Sequence, residues 1–285
     1  MPETYSAHES RLYYVDEVVY GETPSNPAMI SIPAESIEPA INPNNIKLRG
    51  VGSADLQAIK KGLRNLNLKI AYPLPSDAPI NFLQFARNEL GKSLSIQLLY
   101  YKGAFNSPND VISFLYTGCK FQKLQVECSI ENVLKASAEL IAQNLSATTT
   151  KLPDSTYAEY AGAVPFYESY IKKDSATLER VTDWKFNIQN NLKQISVIRQ
   201  TNGHLLKYLP YRHRDLTGEV VFEFESKEEY DDVINDSEFT LEFGLGANNK
   251  AVFSNCKWEN ISSPTRIEEL VSLKAEFVAK AFTIS

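Results

Sequence analysis

Slid against itself, the sequence holds one register without a gap from Leu115–Leu145 to Val252–Phe282. Cys119-Lys-Phe-Gln-Lys-Leu falls on Cys256-Lys-Trp-Glu-Asn-Ile, Ile130-Glu131 on Ile267-Glu268, and Ala138-Glu-Leu-Ile-Ala on Ala275-Glu-Phe-Val-Ala. Seven of these 31 pairs are identical, and ten more exchange one apolar residue for another, as in Tyr116/Phe253, Leu124/Ile261, Leu140/Phe277 and Ile141/Val278. Agreement in strand order, helix position and register is hard to obtain by accident. It predicts a tandem duplication, with domains at 1–150 and 151–285 joined through the polar, proline-punctuated run Ser146–Ser155.

Upstream the match continues with small gaps. Leu66, Leu68 and Ile70 alternate with polar residues, as do Val220, Phe222 and Phe224, the period of a half-buried strand. A helical signature follows each. Ser226-Lys-Glu-Glu229 reads as a capping box with Tyr230, Val233 and Ile234 behind it, and Asp77 and Pro79 open a segment carrying Phe82, Phe85 and Ala86. Strands at Leu94–Tyr101 and Glu238–Phe243 come next, then the two cysteine strands, then a final pair. The fold class expected is mainly β: a β-sandwich or barrel with one short helix per repeat. Two loops, Pro39–Lys61 and Asn191–Asp215, exceed the ~12–15 residues of a passive connection.

The net charge of −6 gives the chain no global attraction for phosphate backbones, which argues against a role in coating nucleic acid. No apolar run approaches the ~18 residues that span a bilayer, and MPETYSAHES does not read as a signal peptide. Cys119, Cys128 and Cys256 form no disulfide framework and no CxxC, so they read as small core residues of a protein folded in a reducing cytoplasm.

The sequence carries no catalytic signature that holds together. HRDL at 213–216 matches the opening of a kinase catalytic loop, but position 220 is Val220 where that loop needs asparagine, and neither DFG nor GxGxxG occurs. Asp215 is expected to close a loop ahead of a strand at Glu219–Glu225. His8, His204 and His213 are scattered without metal-ligand spacing. Glu219, Glu223 and Glu225 alternate as the wet face of a strand does. Arg199, Arg212 and Arg214 suit a solvated or subunit-contacting loop. No catalytic, cofactor or metal site is expected, and no enzyme.

The runs RLYYVDEVVYGETPSNPAMISIPAES, GLRNLNLKIAYPLPSDAPINFLQFARNELG, YTGCKFQKLQVECSIENVLKASAELIAQNL and WKFNIQNNLK together resemble the major tail tube proteins of tailed bacterial and archaeal viruses. The resemblance is a pattern of strands spanning nearly the whole chain, without a diagnostic motif. It implies a virion structural protein, assembled in the host cytoplasm, whose rings stack into a hollow tube for genome passage. It implies as partners further copies of itself and the tail terminator, tape measure and baseplate or tip proteins, with DNA passing unbound and no membrane. Rings of this kind commonly hold six tube domains, so a duplicated chain should close a pseudo-six-fold ring with three copies. Inter-ring contacts are expected at Lys47, Arg49, Lys60, Lys61, Arg199, Arg212 and Arg214, and a lumen face at Glu219, Glu223, Glu225, Glu238 and Glu242. Two rivals stand beside this reading: an inner tube or baseplate ring of a contractile injection system, and a monomeric two-domain immunoglobulin-like binding module.

Overall fold

The structure, a computed structural model, describes residues 4–77, 81–87, 92–102, 111–247, 249–264 and 271–285. Pro79 and the Ile267-Glu268 side of the repeat lie outside them. The first half carries β1 (Ser10–Glu17), β2 (Ala28–Ile32), β3 (Ser36–Asn42), β4 (Ile46–Leu48), β5 (Ala58–Lys60), β6 (Asn65–Pro73), α1 (Asn81–Gln84), β7 (Ser93–Tyr101), β8 (Val111–Ser129), β9 (Lys135–Ala142) and β10 (Asn144–Thr148). The second carries β11 (Thr156–Ala158), β12 (Ile171–Lys173), β13 (Ala176–Thr177), β14 (Val181–Gln189), β15 (Asp215–Glu223), α2 (Glu228–Ile234), β16 (Phe239–Gly244), β17 (Lys250–Ser262), β18 (Ser272–Val278) and β19 (Ala281–Ile284). The chain is mainly β, as its alternating apolar positions predict.

One antiparallel layer runs through both halves in the order β3-β6-β9-β8-β14-β15-β18-β17. A second layer is built mostly within each half, as β2-β1-β7-β8-β10 and β13-β12-β16-β17-β19, and the start of the second half crosses over to add β11 in parallel to β2. Thus β8 and β17 each serve both layers. They can do so because each is bent at matching places. The β8–β9 register shifts between Phe121 and Lys123 and the β17–β18 register between Trp258 and Asn260. Just upstream, Gly118 and Asn255 both have positive φ, 65° and 52°. Such bulges kink a strand and increase its twist.

The core lies between the layers and is continuous across the halves. Leu66, Leu68 and Ile70 of β6 and Val220 and Phe222 of β15 all point into it. In the second half it is aromatic, with Phe186, Phe243 and Phe253 packed 5.1–5.6 Å apart by ring centroid. The three cysteines are free and buried there. Burial pushes their thiols up, Cys128 to about 11, Cys256 to about 12 and Cys119 well above the ordinary range.

Four local expectations need correction. Asp215 opens β15 rather than preceding it, because Gly218, which reads as a break, lies inside the strand. A Cβ on Gly218 would stand 2.4 Å from the Phe277 ring, so the ring fills the space that a side chain would take. The strand ends at Glu223, which leaves Phe224 outside it, exposed, and edge-to-face with Tyr230. The capping box does not close. Lys227 holds the N-cap position, and Glu229 is buried in an ion pair with Arg180 at 2.6 Å instead of returning to the helix start. Of the apolar residues behind it only Tyr230 reaches the core, while Val233 and Ile234 are exposed. The Pro39–Lys61 loop is also shorter than expected, since Pro39 sits in β3 and β4 and β5 form a small hairpin sheet of their own.

Candidate assembly surface

The face of the shared layer that points away from the core is polar over most of its width, apart from Val221, Val278 and the Ile141 end of β9, and its side chains form cross-strand rows. One row runs Lys135–Glu127–Lys185–Glu219–Glu276 across β9, β8, β14, β15 and β18. Another runs Glu38–Lys69–Glu139–Lys123–Gln189–Asp215 from β3 to β15. Opposite charges directly across a ladder stabilise it by roughly 0.2–1 kcal/mol per pair. Lys185 and Lys274 stand 3.0 and 2.9 Å from Glu219, and Lys69 stands 3.7 Å from Glu139. Partial burial pushes the Glu219 carboxyl up, but Lys274 and Lys185 outweigh it and hold it below its ordinary value. Lys274 is raised in turn by Glu219. In the second half this face carries Asp183, Glu219, Glu223 and Glu276 against Lys185 and Lys274, an acidic balance.

The five glutamates expected on one face divide between two. Glu219 and Glu223 share the polar face of the shared layer, and Glu225 is exposed just past its strand. Glu238 and Glu242 belong with the second layer, one just ahead of β16 and the other in its middle. There Glu242 accepts from Tyr170 Oη at 2.8 Å and pairs with Lys250 at 3.0 Å, and these partners hold its carboxyl low. Glu238 is lowered chiefly by Lys280 and Asn255.

The basic residues also fall into two groups. Lys47, Arg49, Lys60 and Lys61 are all exposed on the β4–β5 hairpin, which also exposes Ile46, Leu48, Val51 and Ile59. The 191–214 loop instead folds back on its own chain. Leu192, Leu206 and Leu209 cover Ile141 of β9, and Gln143 Nε2 donates to the Leu206 and Lys207 carbonyls. Within it Arg199 donates to the carbonyls of Asn202 and Leu205, and Arg212 to that of Asn191. Arg214 donates to Asn190 Oδ1 and the Arg87 carbonyl and stacks on Phe282. The loop tip, with Val197 and Ile198, is exposed.

Sequence reasoning missed the joint between the halves, β8 against β14, with Leu124 opposite Ile188 and Val126 opposite Phe186. All four side chains are fully buried. A signal was present in the alternation Trp184, Phe186, Ile188, the same period that marks β6. The layer ends at two open edges. Among the described residues β3 pairs only with β6, and the Lys257–Ser262 part of β17 only with β18.

Asp215, the aspartate of HRDL, accepts a hydrogen bond from Asn191 Nδ2 at 2.7 Å at the exposed start of its strand. Among the described residues no three His, Cys, Asp or Glu side chains are grouped to hold a metal ion, and no helix is long and apolar enough to cross a membrane.

The family described as phage tail tube protein matches residues 7–279. No curated protein matches the chain. Among solved structures, a chain from the cryo-EM structure of the anti-feeding prophage baseplate, six-fold symmetrised, aligns at 15% identity with a TM-score of 0.39. That alignment covers 53% of this chain and 100% of the other, and a likeness so distant carries no argument.

Proposed function

This chain belongs to the phage tail tube protein family, a structural component of the virion, and on that premise we propose that three copies close a ring around a central channel. The rings stack into the tail tube, and the polar face of the eight-stranded layer lines the channel through which the genome leaves at ejection. The observation that carries this reading is the layer itself. It contains the same pairing order twice, β3-β6-β9-β8 and then β14-β15-β18-β17, with the register shift of β8 on β9 repeated by β17 on β18, so that one chain supplies two tube-like units. The units correspond to 1–150 and 151–285. Joining neighbours covalently makes half of the ring contacts intramolecular, at high effective concentration, and cyclic closure with three chains gives a pseudo-six-fold channel.

The charge fits a conduit. A lumen with excess carboxylate repels phosphates and does not retain the DNA that passes. Because Lys69 stands in the first half where Glu219 stands in the second, the charge alternates around the channel instead of repeating six times. The hairpin with Lys47, Arg49, Lys60 and Lys61 and the exposed tip of the 191–214 loop serve contacts to the next ring. Assembled tubes end on terminator and baseplate or tip proteins and enclose a tape measure. A reconstruction of the tube without imposed symmetry, or a native mass of the ring, tests the stoichiometry. Six chains per ring would sink it, and would make one half a decoration of the tube.

A further inference from the structure

We propose that successive copies join by pairing the open edge of β17 on one chain antiparallel to β3 of the next, in the register of the internal β8–β14 joint. We further propose that Pro39 and Pro43 weaken this joint so that isolated copies stay apart. The inference rests on the ring reading above and specifies the contact that closes it.

The layer's own pairings set the register. β8 maps onto β17 through Cys119 and Cys256. β9 against β6 matches β18 against β15, and β6 against β3 matches β15 against β14, which places Asn42 where Gln189 stands. Internally Lys123 faces Gln189, Leu124 faces Ile188, and Gln125 faces Asn187. Between copies the same geometry puts Asn260 opposite Asn42, Ile261 opposite Ile41, and Ser262 opposite Ala40.

The exposures fit an unfilled duplicate of that joint. Leu124 and Ile188 are each 0% exposed, whereas Ile41 is 55% exposed and Ile261 is half-buried. The loop beyond the strand supports the match. Asn191, at φ 48°, donates its side-chain amide to the His213 carbonyl, and Asn44, at φ 42°, does the same to the Leu63 carbonyl. Past the internal joint, Asn190 and Arg214 reach the Ala86 and Arg87 carbonyls at the end of the first helical segment. The corresponding end of α2 exposes Val233 and Ile234, which a neighbour's β3–β6 connection would cover, with Arg64 preceding β6 as Arg214 precedes β15.

The two joints differ in their donors. Asn190 donates its backbone amide across the internal joint to the Gln122 carbonyl at 2.9 Å. Its counterpart is Pro43, which has no N–H. Amides alternate sides along a strand, so position 39 faces the same edge as position 43, and it too is proline where the internal strand has Phe186. Proline on an edge strand with its N side outward blunts the edge against uncontrolled pairing. The external joint therefore keeps the apolar contacts and the register of the internal one but lacks two of its donors.

The test mixes two chains that each carry one added cysteine, Ala40→Cys and Ser262→Cys, under mild oxidation; the three native cysteines are buried and give little background. A disulfide dimer is expected from that mixture and not from Ala40→Cys with Asn260→Cys, which is two residues out of register. Rings visible by electron microscopy with no such cross-link, or with only the out-of-register one, would overturn the joint and leave the ring reading standing. Finding neither rings nor cross-link overturns both. Separately, Pro43→Asn and Pro39→Val should each strengthen self-association by about fivefold in sedimentation velocity, one net hydrogen bond each. Unchanged association in both variants, with thermal melts showing them folded, would refute the role given to the prolines.

Discussion

Removing one member of the Arg180–Glu229 pair should cost far more than a surface ion pair does. Glu229 is 0% exposed and its Oε1 meets Arg180 Nη2 at 2.6 Å. The guanidinium lies over the Phe222 ring at 5.0 Å. Glu229 Oε2 and Arg180 Nη1 have no hydrogen-bonding partner among the described residues, so the pair is only partly satisfied even when intact. Arg180→Met strands a buried carboxylate and should destabilise the subunit by about 3–5 kcal/mol, the usual result of breaking a buried pair; Glu229→Leu leaves the guanidinium only the exposed Glu228 at 3.7 Å and should fall at the lower end of that range. At roughly 2–4 °C per kcal/mol for a chain of this size, melting should fall by about 6–20 °C. The double variant Arg180→Met/Glu229→Leu, which leaves neither charge alone, should recover most of that loss. Urea titrations of the unassembled subunit, read by tryptophan fluorescence, give all three values. Single losses below about 1 kcal/mol, or a double variant as unstable as the sum of the singles, would refute the reasoning. The pair also anchors α2, so either single variant should assemble poorly while the double assembles normally.

Gly218→Ala should cost about 1–3 kcal/mol by overpacking, since its Cβ would meet both the Phe277 ring and the Lys185 carbonyl at 2.6 Å or less; Phe277→Leu in the same chain should recover the part due to the ring, seen in thermal melts. The Glu219 carboxyl is held low, so its lysine contacts stabilise the fold above the ordinary carboxylate pKa of 4.5 and are lost as pH falls through the depressed folded value. Glu219→Gln should therefore melt lower than the parent at pH 7, by less than ~1 kcal/mol for so solvated a site, and converge with it as pH falls through the depressed folded value; a constant gap would contradict this. Deleting the hairpin tip at 50–57 should leave a folded subunit that makes rings but not long tubes by electron microscopy, and raised salt should shorten tubes of the parent protein. Normal tubes from the deletion would make the hairpin a bystander.

Much of the fold could be read where burial is one-sided. Leu66, Leu68 and Ile70 announce β6 because one face meets the core and the other meets water. The register of Leu115–Leu145 on Val252–Phe282 is legible because the two segments occupy equivalent places, down to the bulge after Phe121 and after Trp258. Features set by a distant partner were not legible. Gly218 looks like a break because the Phe277 ring that replaces its side chain is far away in sequence. Glu229 looks like a cap because Arg180 lies 49 residues earlier in the chain. Short strands such as β12 and β13 carry too few residues for any period to show. The candidate surface was half legible: alternation identifies the wet side of β15, but which carboxylates share a face depends on which layer each strand joins. Glu219 and Glu242 part company there.

The long strand β8 has a consequence for how the protein is made. Its outer edge, with Leu124 and Val126, carries no proline, and it is covered only when β14 arrives, about fifty residues later in the chain. At ~5–20 residues per second that is a window of roughly 3–10 s on the ribosome. During it the emerging first half presents an apolar acceptor edge, and neighbouring ribosomes on one message present β3 edges that could occupy it. Pro39 and Pro43 make those strangers poor competitors, whereas β14, tethered to the same nascent chain, comes with a full set of donors and a high local concentration. If copies join as proposed, the order of translation selects the covalent neighbour first and leaves the weaker, proline-bearing joint for later.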